Sequence, residues 1–214
     1  MYLKHFLSVV ISLFFVSSFS QKKEIKYFDE FRQEINKRQF KKLIDYKNTI
    51  DIYIERDSLT LGLIVKRNNF GKLSSRNNNA FRRYLSEVAT TPINENEKIV
   101  ISYLYEEAEL KTTQQKSTWN VLSANFLKRL HETSPNVRQF YIVSPKNSKL
   151  DYFGAPEIPW IIDADFNVER LFFDKPINSG IYILLKPNGL YYFYVGEYGD
   201  FMVLENASKF FAKK

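Results

Sequence analysis

No cysteine occurs anywhere in this chain, although its first twenty residues are written for export. Lys4 and His5 give a short positive start, residues 6–19 form an apolar stretch, and Ser18 and Ser20 stand just before a cut expected ahead of Gln21. An exported chain ordinarily meets an oxidising compartment where disulfides form. This one must hold its shape by burial and hydrogen bonding alone, and it has no thiolate for redox exchange, nucleophilic attack, metal ligation or lipid attachment. Removing residues 1–20 from 214 leaves 194, enough to bury roughly 70% of the surface of the unfolded chain. With 44% hydrophobic and 16% aromatic residues, the composition is that of a packed globule and not of a disordered chain. No later apolar stretch reaches the ~20 residues of a membrane-spanning helix. The expected location is the periplasm or the medium.

The formal net charge is +7, and +6 once Lys4 leaves with the signal. An excess of that size implies solubility and at most weak contact with an anionic membrane surface. Nucleic acid is not an expected partner, because export removes it and no DNA- or RNA-binding motif is present.

Hydrophobic spacing sets the expected elements. Residues 24–47 read as a helix with Phe28, Phe31, Ile35, Phe40, Leu43 and Ile44 on one side and Lys37, Arg38, Lys41, Lys42 and Lys47 on the other. That basic side is either a solvated face or a membrane-surface device. Ile50, Ile52 and Ile54 alternate with polar neighbours as a strand, a turn at 56–58 follows, and residues 59–65 return as a second strand. The stretch Asn68-Asn69-Phe70-Gly71 is expected to end it, with Gly71 at positive φ. A helix is expected at 77–89, then a doubly buried strand at 98–105. A polar loop leads to a helix striped by Trp119, Leu122, Phe126 and Leu130. A strand at 138–144, an irregular stretch at 145–160 and a short helix at 165–173 come next. Strands at 182–186 and 191–195 flank Pro187-Asn188-Gly189, a hairpin turn signal. A helix at 201–211, anchored by Phe201, Leu204 and Phe211, closes the chain. The expected division is a signal at 1–20, a basic helical extension at 21–49 and one domain at 50–214.

The inventory of chemistry is thin. The mature part has one histidine, His131, at the end of a helix, where it serves either the helix terminus or as a general base. Asp163 and Asp165 could form an acid/base or calcium-binding pair, but the further ligands and glycine of a calcium loop are missing and Asp165 stands where a helix N-cap belongs. The glycines match no phosphate-binding spacing. No catalytic residue, metal or cofactor is assigned. Aromatic residues are in surplus, and alternation puts Tyr191 and Phe193 on one face of their strand and Tyr192 and Tyr194 on the other. One face packs the core. The other is covered by a helix or left as a patch of the kind that marks protein contacts. Trp119, Trp160, Tyr192, Tyr194 and Glu197 are the candidate binding surface.

From residue 59 the order is strand, helix, strand, helix, strand, helix, strand, strand, helix. Right-handed crossovers make the middle parallel, and the tight hairpin makes the last two strands antiparallel. That order resembles the thioredoxin-like superfamily. The strand at 98–105 precedes the place of the redox loop, the run Ile181-Tyr182-Ile183-Leu184-Leu185-Lys186-Pro187-Asn188-Gly189 looks like the penultimate strand and its turn, and Tyr194-Val195-Gly196-Glu197 is similar to the exit of the last strand. The resemblance implies an α/β fold, a mixed sheet with helices on both faces, here preceded by the N-terminal helix. It also shows the loss: Lys116-Ser117-Thr118-Trp119 stand where the paired cysteines would be, and Ser179-Gly180 where a cis-proline would be. What remains is a redox-inactive scaffold. Its expected role is binding or assembly, with an exported protein or peptide as partner. The alternatives are a hydrolase using His131 with carboxylates near Asp163, and an envelope-surface binder acting through residues 22–47.

Overall fold

The computed structural model describes residues 23–104, 123–146, 160–173, 177 and 180–212. The amino-terminal part departs from the single helix expected there. Strand β1 (Glu24–Phe28) and the short β2 (Glu34–Ile35) form an antiparallel hairpin, and only Lys37–Leu43 is helical (α1). The reason lies in the turn. The Asp29 carboxylate accepts the backbone N–H groups of Phe31 and Gln33 at 2.9 and 2.8 Å, and Arg32 takes a left-handed φ of 66°. Phe31, which helical spacing would bury, sits at the tip and is 71% exposed. Helix α1 starts only where Asn36 and Gln39 cap each other reciprocally.

Strands β3 (Thr49–Glu55) and β4 (Leu59–Lys66) pair antiparallel as expected, and β1 lies parallel to β4, giving a mixed sheet of order β2-β1-β4-β3. Phe40 of α1 packs on this sheet between the rings of Tyr27 and Tyr53.

The second sheet begins with a further correction. Asn68–Lys72 is not a terminating turn but a strand, β5, paired antiparallel with β10 (Leu190–Val195). Gly71 is not needed for positive φ. It is needed for contact, since a Cβ there would enter the Tyr191 ring. Helix α2 (Ser75–Val88) is capped by Ser74. The sheet continues through β6 (Lys98–Leu104), β7 (Val137–Val143), β8 (Trp160–Ile162) and β9 (Ile181–Leu185), with helices α3 (Ala124–Thr133), α4 (Asn167–Phe172) and α5 (Asp200–Ala212) between and after them. Its order is β5-β10-β9-β6-β7-β8. Strands β6, β7 and β8 run parallel, β9 is antiparallel to β6, and β10 is antiparallel to β9. The chain is thus α/β with two mixed sheets. Pro187, Asn188 and Gly189 make the hairpin, with Gly189 at φ 83° and its N–H on the Lys186 carbonyl at 3.1 Å.

Period-two alternation divides the core between the faces of this sheet. Ile99, Ile101, Ile181, Ile183 and Phe193 pack beneath Phe81 and Leu85 of α2 and Val168 and Phe172 of α4. On the other face Val100, Tyr182, Leu184, Tyr192 and Tyr194 meet Phe126 and Leu130 of α3 and Val203, Leu204 and Ala207 of α5. Phe201, expected as an anchor of the last helix, is 68% exposed, because the helix turns Val203 and Leu204 inward instead.

Candidate functional site

The carboxyl ends of parallel strands are where open α/β sheets place their ligands. Here that edge carries Tyr103 near the end of β6, Ser144 just after β7 and Asp163 just after β8. Asp163 is fully buried, and its carboxylate accepts the N–H groups of Asn167 and Val168, both at 2.8 Å, and the Tyr84 hydroxyl at 2.9 Å. It therefore organises the start of α4 from four residues upstream, with Phe166 in the left-handed region at φ 55°. Asp165, the expected cap, is exposed and takes no such role. One turn along α4, Glu169 accepts the Tyr103 hydroxyl at 2.8 Å and the Ser144 hydroxyl at 3.0 Å. Burial first, and the adjoining carboxylate second, push the Tyr84 and Tyr103 hydroxyls well above the ordinary phenol range. Both phenols stay protonated as donors and both carboxylates serve as acceptors. Through these bonds the cluster ties β6, β7 and β8 to helices α2 and α4. Residues 105–122, with Trp119 and the 116–119 stretch, lie outside the described residues.

The other aromatic candidates do not meet at one surface. Tyr192 and Tyr194 are 4% and 9% exposed and belong to the core beneath α5, which corrects their assignment to a binding face. The Tyr182 ring lies 5.9, 5.5 and 4.8 Å from those of Tyr192, Tyr194 and Tyr198. The hydroxyls have partners: Tyr192 donates to Asn68 at 2.7 Å, Tyr198 donates to the Ile181 carbonyl at 2.9 Å, and Tyr182 accepts from Asn206 at 2.6 Å. Tyrosine replaces phenylalanine here because polar groups at the margin of the layer can satisfy it. Trp160 is half-buried on the opposite edge strand, beside an open recess of about 460 Å³ shared with Arg138, Tyr141 and residues 88–91. Glu197 is exposed in the loop after β10.

The hydrolase reading does not survive the geometry. His131 is exposed on α3, a helix of the tyrosine-bearing face, whereas Asp163 is buried and bonded to Tyr84 of α2 on the other face. The sheet stands between them. Among the described residues no three histidine, aspartate or glutamate side chains converge as metal ligands, and no helix is long and apolar enough to cross a membrane.

Sequence reasoning missed Arg67, which joins the two sheets. Its Nε donates to the Tyr46 carbonyl at 2.9 Å, and one terminal nitrogen donates to the Val195 carbonyl at 3.1 Å and the Tyr194 hydroxyl at 3.3 Å. Beside it a groove of about 350 Å³ opens between the sheets, walled by Lys66, Asn69, Phe70, Phe172, Tyr191 and Phe193. A third recess of about 330 Å³ lies between α1 and β3, under Tyr46 and Tyr53 with Lys37 and Lys41 at its rim. The only signal for Arg67 in the sequence is a charged residue between two strand patterns, which also describes an ordinary turn.

No family model matches this chain, and no curated protein matches it. Among solved structures it is similar to a secreted Mycobacterium tuberculosis disulfide oxidoreductase homologous to E. coli DsbE, at 12% identity and a TM-score of 0.33, over 56% of this chain and 83% of that one. A likeness of that size transfers no residue role.

Proposed function

We propose that this chain is an exported, redox-inactive protein of thioredoxin-like shape that binds another exported protein or peptide in the cell envelope. The observation that carries the reading is the state of the carboxyl edge of β6–β8: Asp163, Tyr84, Tyr103, Glu169 and Ser144 satisfy one another there, in a chain that contains no cysteine. Among the described residues these bonds hold the shape of the edge. The three open, aromatic-walled recesses support a recognition role.

Cross-linking of the tagged chain in its own host, followed by denaturing capture and mass spectrometry, tests this. The expected result is one exported protein recovered in near-equimolar amount. Recovery of the chain by itself, across cross-linkers of several lengths, contradicts it.

A further inference from the structure

The positive charge of this chain is concentrated. Residues 37–47 hold Lys37, Arg38, Lys41, Lys42 and Lys47 against one carboxylate, Asp45, a net +4 of the +6 that remains once the signal is gone. One long helix would have spread this basic side over residues 24–47. Because Glu24–Phe28 and Glu34–Ile35 are strands, the structure confines it to α1 and the turn that follows. Three lysines in or beside the same sheet have carboxylate partners: Lys23 has Glu55 at 3.2 Å, Lys26 has Glu34 at 3.5 Å and Lys66 has Glu30 at 2.9 Å. Lys47 has Asp45 beside it. The side chains of Lys37, Arg38, Lys41 and Lys42 are all exposed and make no hydrogen bond or ion pair among the described residues.

Phe40 sets which side of α1 faces outward, since it is buried against the sheet beside Tyr27 and Tyr53. At about 100° per residue, Arg38 and Lys42 stand opposite Phe40, and Lys37 and Lys41 share one flank. That flank borders the recess of about 330 Å³, where Tyr46 is 68% and Tyr53 43% exposed and Asp51 is the one carboxylate of the lining. The back and one flank of the helix are thus cationic, with two tyrosine rings at the foot of the flank. This ridge is convex. A bound peptide needs a groove, and Arg38 and Lys42 line none of the three recesses. A broad negative surface meets all four cations together, and a tyrosine, apolar in its ring and polar at its tip, suits the headgroup layer of a bilayer.

We infer that the outer face of α1, with Tyr46 beside it, is a contact surface for an anionic phospholipid bilayer. It is a second surface, separate from the binding of a protein or peptide proposed above and not dependent on it.

Co-sedimentation with vesicles tests this, using the chain purified as its host processes it. Vesicles of phosphatidylglycerol and phosphatidylcholine in equal parts should bind it about tenfold or more tightly than phosphatidylcholine alone, and about 0.5 M salt should remove most of that difference. The combined variant Lys37→Gln, Arg38→Gln, Lys41→Gln and Lys42→Gln should keep the near-ultraviolet circular dichroism and lose about tenfold or more in affinity. If it fails to fold, Arg38→Gln with Lys42→Gln, both opposite the buried side, should lose about threefold or more. Tyr46→Ser should weaken binding about threefold. A control removes the same charge elsewhere, through Lys72→Gln, Arg76→Gln, Arg83→Gln and Lys128→Gln, and should stay within about twofold of wild type. Equal binding to neutral vesicles overturns the inference, as does an equal loss in the control, which would make net charge the cause. Soluble poly-glutamate bound as tightly as the anionic vesicles overturns it too, in favour of an acidic protein. Capture from the host separates this surface from the role proposed above. A partner held equally by the wild type and the neutralised variant leaves that role standing whatever the vesicles show, and vesicle binding by a chain that captures no partner leaves this surface standing without it.

Discussion

A few side chains fix this protein through contacts that their type alone does not announce. Asp163 is the strongest case, a buried carboxylate satisfied by two backbone N–H groups and one phenol. Asp163→Ala strands all three donors and should cost about 2–4 kcal/mol in urea unfolding, because each orphaned buried polar group costs roughly 1–3 kcal/mol and water can reach part of the opened site. Asp165→Ala, a change at an exposed neighbour, should fall within about 0.5 kcal/mol of wild type. Gly71→Ala drives a methyl group into the Tyr191 ring and should cost about 1–3 kcal/mol, with a smaller penalty when Tyr191 is shortened to Leu in the same chain. The buried phenols set the alkaline limit. Burial pushes Tyr141 up to about 12, and Tyr84, Tyr103, Tyr182 and Tyr198 are also raised by burial. A raised folded-state value means that the native chain keeps a proton the unfolded chain gives up. The stabilisation is thus complete below about pH 10, the ordinary phenol value, and is lost as pH rises through the folded values. Tyrosinate absorbance of these residues should appear only together with loss of the near-ultraviolet signal. Their smooth titration in a chain that stays folded contradicts the burial described here.

Elements divide by whether their pattern has one reading or two. β6 and β9 were legible because they are short, continuously apolar and bounded by turn residues, and the hairpin between β9 and β10 was legible because Pro187-Asn188-Gly189 specifies its own turn. Residues 24–43 were not, since Phe28, Phe31 and Ile35 satisfy a helical stripe while the local bonds of Asp29 favour a turn. Side-chain competition for the backbone outweighed periodicity there. β5 was missed because asparagine and glycine are turn formers, and only the partner strand, through Tyr191 and Tyr192, shows that they lie in a sheet. The reciprocal cap of α1 gives a direct check. Asn36→Ala should cost about 1 kcal/mol, read in urea unfolding, with little effect on the six-stranded sheet in hydrogen exchange.

At the scale of the molecule, the six-stranded sheet adjoins the four-stranded one where β4 runs on into β5 through Arg67. Arg67 bonds to the Tyr46 carbonyl on one side and to the Val195 carbonyl and Tyr194 hydroxyl on the other, so Arg67→Ala should speed amide exchange in β3 and β4 more than in β6 and β9. Lysine should not restore it, having no planar fork to reach several acceptors at once. Equal acceleration in both sheets contradicts the joining role. The central architecture was readable from element order, since crossover handedness and one tight turn leave few arrangements. The candidate site was less so: sequence spacing identified aromatic residues but not which of them the last helix would cover, and Tyr192 and Tyr194 went to the core. Absence of cysteine removes thiol chemistry from this chain, and recognition is the role proposed for it. Light scattering of the native protein, drawn without overexpression from the envelope of its own host, measures this most directly. The account predicts a complex heavier than the processed chain alone, holding one other exported protein in fixed ratio. A chain that elutes alone at its own mass contradicts it.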